Sequence, residues 1–323
     1  MPDTYCVSAT EPTSSGAGYH RSLLALCLGL FLFGLYSLTY SPYFESSDGV
    51  SIYAVAESIA KRGAFDSSPF IWDRWTAGYQ DAQGDYGADG ELYSKKGLGA
   101  SVCAAPLTWL ALRVTGIGLV QATYLFNMVV TAVTAMVLFL FVWRLGYGCD
   151  VALLVGGLFG TATIAWPYAG YLYSEPLMGL FLALAAYFLY AFRQECRWLF
   201  LFGGGLAAGW AAVTRLTNLI LLPVYYLYAF GPALWEWAMA RWPTAGGSGR
   251  RASRGIVVFS VGLGLGLAVI GLYNILRFQT PFRSGYAETV GFWTPLLDGL
   301  YGLFFSPRKS LFLYSPVLIL APL

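Results

Sequence analysis

The sequence predicts an all-α fold: a polytopic membrane helical bundle of about seven to eight transmembrane helices, with juxtamembrane helices in its first outer loop. Three observations predict it. Only 11% of the residues are charged against 57% hydrophobic, whereas soluble domains carry roughly 25% charge, so lipid must cover much of the surface. Mean hydropathy is +0.60, and the apolar residues collect into runs of spanning length. Aromatic residues reach 17%, the residue class enriched where membrane meets water. The net charge of only +2 argues against nucleic acid as a partner, because phosphate neutralisation needs clustered Lys and Arg. Five cysteines, at 6, 27, 103, 149 and 196, have no CxxC or Cys/His spacing. His20 is the only histidine, which excludes a His-based triad or a His-rich metal site.

The elements follow in order. Residues 1–20 are polar and small and read as a cytoplasmic tail. The apolar run 22–40 is long enough to span and lacks a small-x-small cleavage site, so it reads as a retained helix. The segment 41–96 is hydrophilic, with nine of the 17 acidic residues and an amphipathic stretch at 51–60. Its Gly-rich part, 84–91, lacks Ca²⁺-loop spacing and reads as a flexible loop. Further spanning-length runs lie at 119–143, 151–168, 176–192, 198–214, 216–234 and 256–276, and an apolar run at 311–323 reads as the start of another in a truncated chain.

Positive charge sets orientation. The connector 235–255 carries Arg241, Arg250, Arg251 and Arg254 and is expected to be cytoplasmic, as are the connectors at 144–148 and 193–197. The run 97–114 is short, contains Pro106 and is flanked by Lys95, Lys96 and Arg113, features of a helix lying in the interface. Without that crossing, the whole of 41–118 is an outer loop inside a seven-helix transmembrane module, 21–276. A second outer loop, 277–310, follows. The Gly-rich stretches 203–209 and 262–268 lie inside apolar runs and read as close helix packing.

Three stretches facing outward carry a resemblance: SSDGVSIYAVAESIAKRG at 46–63, YSKKGLGASVCAAPLTWL at 93–110, and YLYSEPLMGLFLAL at 171–184. Their order and setting resemble the GT-C superfamily of membrane glycosyltransferases, in the branch with protein O-mannosyltransferases and the lipid A aminoarabinose transferase. The resemblance implies a catalytic carboxylate just before a first juxtamembrane helix, a Lys-containing segment opening a second, and an acidic residue starting a later helix. One departure matters: a single Asp followed by Gly49 replaces the acidic pair often seen in the O-mannosyltransferases, so the acceptor does not transfer.

On that resemblance, the chain is expected to move a sugar from a polyprenyl-phosphate donor to an acceptor hydroxyl, with inversion, at the outer face of an inner or plasma membrane. Asp48 is the expected general base, with Glu45 as competitor; the plainer reading of Asp48, compatible with that role, is the N-cap of the helix it precedes. Glu175 would bind a sugar hydroxyl, or hold a divalent ion together with Asp48; no cofactor is otherwise implied. Lys95 and Lys96, with Arg215, Arg277 and Arg308, would bind the donor phosphate; interfacial anchoring is the alternative for each. Arg283 and Lys309 lie on the same face. The partners are then the lipid-linked donor, membrane lipids, and a glycan, lipid or protein acceptor. A transporter or lipid flippase is the alternative from another class, although midplane charge and internal repeats, its usual marks, are wanting. A non-catalytic scaffold and a ligase using a diphosphate donor are further rivals.

Overall fold

The computed structural model describes residues 15–44, 46–68, 84–239, 248–286, 294–308 and 310–320. Helices dominate. Among the described residues four helices are long and apolar enough to cross a membrane by length and composition: His20–Ser37 in α1 (Ser15–Ser37), α4 (Leu119–Arg144), α7 (Glu175–Glu195), and Ser253–Phe278 in α10 (Ser248–Phe278). Shorter apolar helices are α3 (Leu98–Ala111), α5 (Cys149–Thr161), α8 (Trp198–Thr214) and a stretch from Leu216 to Pro232. Such composition identifies an integral membrane protein.

The helices alternate in direction, and polar side chains mark their two ends. At one end Tyr36 Oη donates to the Gly160 carbonyl at 3.0 Å, joining the last turns of α1 and α5. There too Asn127, near the start of α4, donates to the carbonyl of Tyr173 at 2.8 Å and to that of Tyr171. At the opposite end the Arg21 guanidinium lies 3.9 Å over the Trp143 ring, and Arg144 donates to Gln194 at 3.0 Å and to Glu195. Removing such groups from water is costly, so they sit where each finds a partner.

α4 is the central element, packed by α1, α3, α5 and α7. α8 packs on α7 and α10, and the α8–α10 contact runs through glycine: a Cβ on Gly205 would stand 2.1 Å from the Phe259 carbonyl oxygen, and one on Gly266 2.5 Å from the Gly209 backbone. Lipid gives apolar helices no hydrophobic reason to associate, so close backbone approach supplies the dispersion contact instead. The two Gly-rich stretches therefore pack helix on helix.

Two expected runs are broken. The apolar run 151–168 ends as α5 at Thr161 and restarts as α6 (Ala165–Ala169). The Thr163 hydroxyl accepts from the Ala165 N–H at 3.1 Å, offering the backbone a cap in place of a helical carbonyl, and Pro167 has no N–H to continue the ladder. Likewise 216–234 opens as a 3₁₀ segment, Leu216–Leu221, before α9 (Leu222–Met239). Asn218 Nδ2 holds the Ala211 and Arg215 carbonyls there, at 2.9 and 3.0 Å, and Pro223 sits in the first turn of α9.

The acidic segment after α1 is built, not loose. α2 (Ser47–Arg62) is buried from Gly49 through Ala56 against α3, α4 and Leu172. The Gly-rich 84–91 stretch belongs to an antiparallel hairpin, β1 (Gly84–Tyr86) with β2 (Leu92–Ser94), which corrects its reading as a flexible loop. Gly90, at φ +84, makes the turn. The Tyr93 hydroxyl donates to Asp89 at 2.7 Å and holds that carboxyl below the usual carboxylate range.

α3 starts against Thr214 at the end of α8, and its Thr108 meets Thr123 of α4 at 2.7 Å. Both contacts are at the Asn127 end of the bundle. At 14 residues the helix is about 21 Å long, short of the roughly 30 Å of hydrocarbon. The last described part holds α11 (Leu296–Phe304), α12 (Leu311–Tyr314) and a 3₁₀ segment, Pro316–Leu320. Up to Leu320, the run begun at 311 is thus short pieces interrupted at Pro316.

Candidate functional site

Ser46, and not Asp48, caps α2: its Oγ accepts from the Gly49 N–H at 3.1 Å. That leaves Asp48 in the first turn, where the helix dipole favours a negative charge. Asp48 Oδ2 meets Lys96 Nζ at 2.6 Å. Lys96 reaches it because β2 ends at Ser94. The Ser94 hydroxyl lies 2.5 Å from that of Ser51 and accepts from the Lys96 N–H at 3.0 Å, tying the strand end to α2. Asp48 Oδ1 has no hydrogen-bond donor among the described residues and remains open.

Glu175 opens α7 beside Pro176 and pairs with Arg215; the Ser174 hydroxyl is 3.3 Å from its Oε2. Arg215 turns outward from the end of α8 at φ −147, ψ 117.

Two glycines bring these ion pairs to one rim. A Cβ on Gly49 would stand 3.5 Å from the Leu172 carbonyl oxygen, so the first turn of α2 rests on the loop that leads to Glu175. A Cβ on Gly97 would stand 2.2 Å from the Thr214 carbonyl oxygen, so the residue after Lys96 presses on the residue before Arg215. No side chain other than hydrogen fits at Gly97 without moving α3 or α8.

Beneath Glu175, between α5 and α7 and floored by α4, lies a cavity of about 280 Å³. Thr131, Thr134, Phe159, Thr163 and Tyr168 line it with Glu175. The Thr131 hydroxyl is fully buried, with no hydrogen-bond partner among the described residues. Tyr168 meets Tyr173 in a tilted ring contact, with centres 5.2 Å apart and planes at 42°. Burial first, and the nearby Glu175 charge second, raise its hydroxyl pKa above the usual phenol value.

The other predicted residues are not gathered here. Lys95 turns the opposite way, with its Nζ 6.0 Å from the centre of the Tyr286 ring. Arg277 is only 4% exposed. Its guanidinium donates to the Ser94 carbonyl and to Asn274 Oδ1, each at 2.7 Å, and lies 4.1 Å over the Tyr273 ring. It clasps the hairpin to α10 and has no open face for a phosphate. Arg283 pairs with Asp85 at 2.7 Å. Arg308 is exposed after α11 and forms no ion pair among the described residues. Glu45 and Lys309 lie outside the described residues.

Asp48 and Glu175 each face a cation, so a divalent ion shared between them would compete with Lys96 and Arg215. Among the described residues no three His, Cys, Asp or Glu side chains form a group suited to a metal.

Sequence reasoning missed the cavity and the Tyr168–Tyr173 ring contact. A signal for the cavity was present: Asn127 is the one amide well inside an apolar run, followed by Thr131 and Thr134 at near-helical spacing. No family model matches the chain, and neither a curated protein nor a solved structure is similar to it.

Proposed function

We propose that the chain is a membrane glycosyltransferase that uses a polyprenyl-phosphate sugar and works at the end of the bundle bearing Asp48. The observation that carries the reading is the Asp48–Lys96 contact at 2.6 Å, a carboxylate with one oxygen held and one open, next to a second ion pair. In this reading the acceptor hydroxyl attacks the anomeric carbon while its proton passes to Asp48 Oδ1. The bond from that carbon to the phosphate oxygen breaks, and the lipid phosphate leaves with the electron pair. Lys96, aided by Arg215, stabilises the departing charge. Attack opposite the leaving group inverts the anomeric centre. The cavity between α5 and α7 gives the donor a lateral approach from the bilayer, and Glu175 with Tyr168 contacts the sugar.

The reading adopts seven crossings, by α1, α4, α5, α7, α8, the 3₁₀ segment with α9, and α10. Residues 41–118 then share an outer face with 277–310.

Purified protein is incubated with radiolabelled polyprenyl-phosphate sugars and a panel of glycan, lipid and peptide acceptors. Asp48→Asn should lower turnover by about 10²–10⁴, the usual contribution of a general base, while leaving donor binding intact. Lys96→Ala should lower turnover and weaken donor binding. No turnover with any donor removes the reading; full turnover by Asp48→Asn removes Asp48 as the base.

One observation favours a second reading. Asn127 Oδ1 and the Thr131 hydroxyl are buried within α4 without a hydrogen-bond partner among the described residues, as polar groups along a translocation path would be, and Thr131 also lines the cavity. Movement of a labelled lipid across liposomes in the absence of sugar transfer would select that flippase.

A further inference from the structure

We propose that the end of the bundle opposite Asp48 carries a binding site for the headgroup of an anionic phospholipid, between the start of α8 and α10. Most arginines at that end already have partners: Arg21 lies over Trp143, Arg144 holds Glu195, and Arg193 lies 5.2 Å over the Tyr228 ring. Arg254 is different. It is exposed and makes no hydrogen bond or ion pair among the described residues. It stands in a groove of about 430 Å³ whose other walls are Trp198, Ser253, Val257 and Val258.

The groove offers one chemistry per level. Arg254 and Ser253 form its polar rim. Trp198 is the first residue of α8, and its N-cap, Arg197, supplies no side-chain acceptor to the first N–H groups. An uncapped helix start beside a guanidinium fork is a setting for a phosphate oxygen. Arg197 itself is 72% exposed and only 3.4 Å from Glu195, which Arg144 already neutralises. One turn deeper the wall becomes Val257, 60% exposed, and Val258, a surface for the first carbons of an acyl chain. A free phosphate would use the rim and leave the valines bare; a phospholipid uses both. The indole at the boundary suits the same occupant. The site is independent of any glycosyl transfer.

The test uses the whole chain in phosphatidylcholine nanodiscs with or without phosphatidylglycerol, with retained lipid read by native mass spectrometry after release. The wild type should retain phosphatidylglycerol over phosphatidylcholine. Arg254→Gln should lower that preference about five-fold, and Arg197→Gln combined with it about 25-fold, as expected for juxtamembrane cations. Arg254→Lys keeps the charge and should hold most of the preference, and Arg113→Gln, at the other end, should leave it unchanged. The proposal is overturned by a wild type without preference, by Arg254→Gln retaining it, or by Arg254→Lys losing as much as Arg254→Gln. Displacement of the lipid by millimolar inorganic phosphate overturns it too, in favour of a free-anion site.

Discussion

Arg277 and Lys96 show how two cations on one face acquire different work. Lys96 is 15% exposed in its side chain and faces a carboxylate whose second oxygen is open. Arg277 is buried and its guanidinium is held by the Ser94 carbonyl, Asn274 and two aromatic rings. Arg277→Ala would strip a hydrogen-bond donor from the Ser94 carbonyl, at the junction that positions Lys96. Breaking a buried, charge-assisted network costs about 3 kcal/mol, so the variant should melt well below the wild type in detergent. Arg277→Lys should not rescue it, because a point charge cannot reach two partners in the plane of a fork. Thermal unfolding of both variants, with donor binding measured where they remain folded, separates the clasp from a phosphate ligand. A variant of full stability with weakened donor binding would restore Arg277 to the site.

Among the elements, α3 depends on one residue without a side chain. Gly97 touches the Thr214 backbone so closely that a methyl group would displace α3 from α8, and Lys96 with it. Gly97→Ala should therefore lower both stability and turnover. Gly264→Ala, where a Cβ meets nothing within 4 Å, should be neutral or stabilising by up to about 1 kcal/mol through helix propensity. Equal effects in the two variants would mean that α3 adjusts freely and does not position Lys96. Parts of this level are legible in the sequence. α4 and α8 fall within a residue of their apolar runs, because a long unbroken hydropathy signal has one solution in lipid. The breaks at Thr163 and Asn218 are hidden because averaged hydropathy does not register a hydroxyl or amide that caps a backbone group. The hairpin is hidden too, since strands of three residues leave no alternation to detect. The four charges at the rim are visible as charges beside apolar runs. Their pairing is not: Lys95 and Lys96 are equivalent in sequence until the turn after Ser94 sends them to opposite sides.

At the scale of the whole molecule, the helix directions make one demand on the bilayer. Tyr43, Leu216 and Phe282 are exposed at the Asp48 end, at 57%, 48% and 93%, and Tyr147 is exposed at the opposite end, also at 57%. Sugar transfer from one lipid-linked donor requires the first three in one compartment, since α2, the end of α8 and the end of α10 all contribute to the rim or its support. The arginine-rich connectors near Tyr147 make the cytoplasm the expected compartment for that end under the positive-inside rule. A cysteine introduced singly at each position, reacted with a membrane-impermeant maleimide on intact cells and on inverted vesicles, reads the compartment against the unsubstituted chain. Tyr43→Cys, Leu216→Cys and Phe282→Cys should label from outside and Tyr147→Cys only in inverted vesicles. Labelling of residues 43 and 282 from opposite sides would mean that α10 and α2 do not end together in the membrane. The Arg277 clasp, the Lys96 position and the proposed base would then fail as one, because the first two join these segments and the third depends on them.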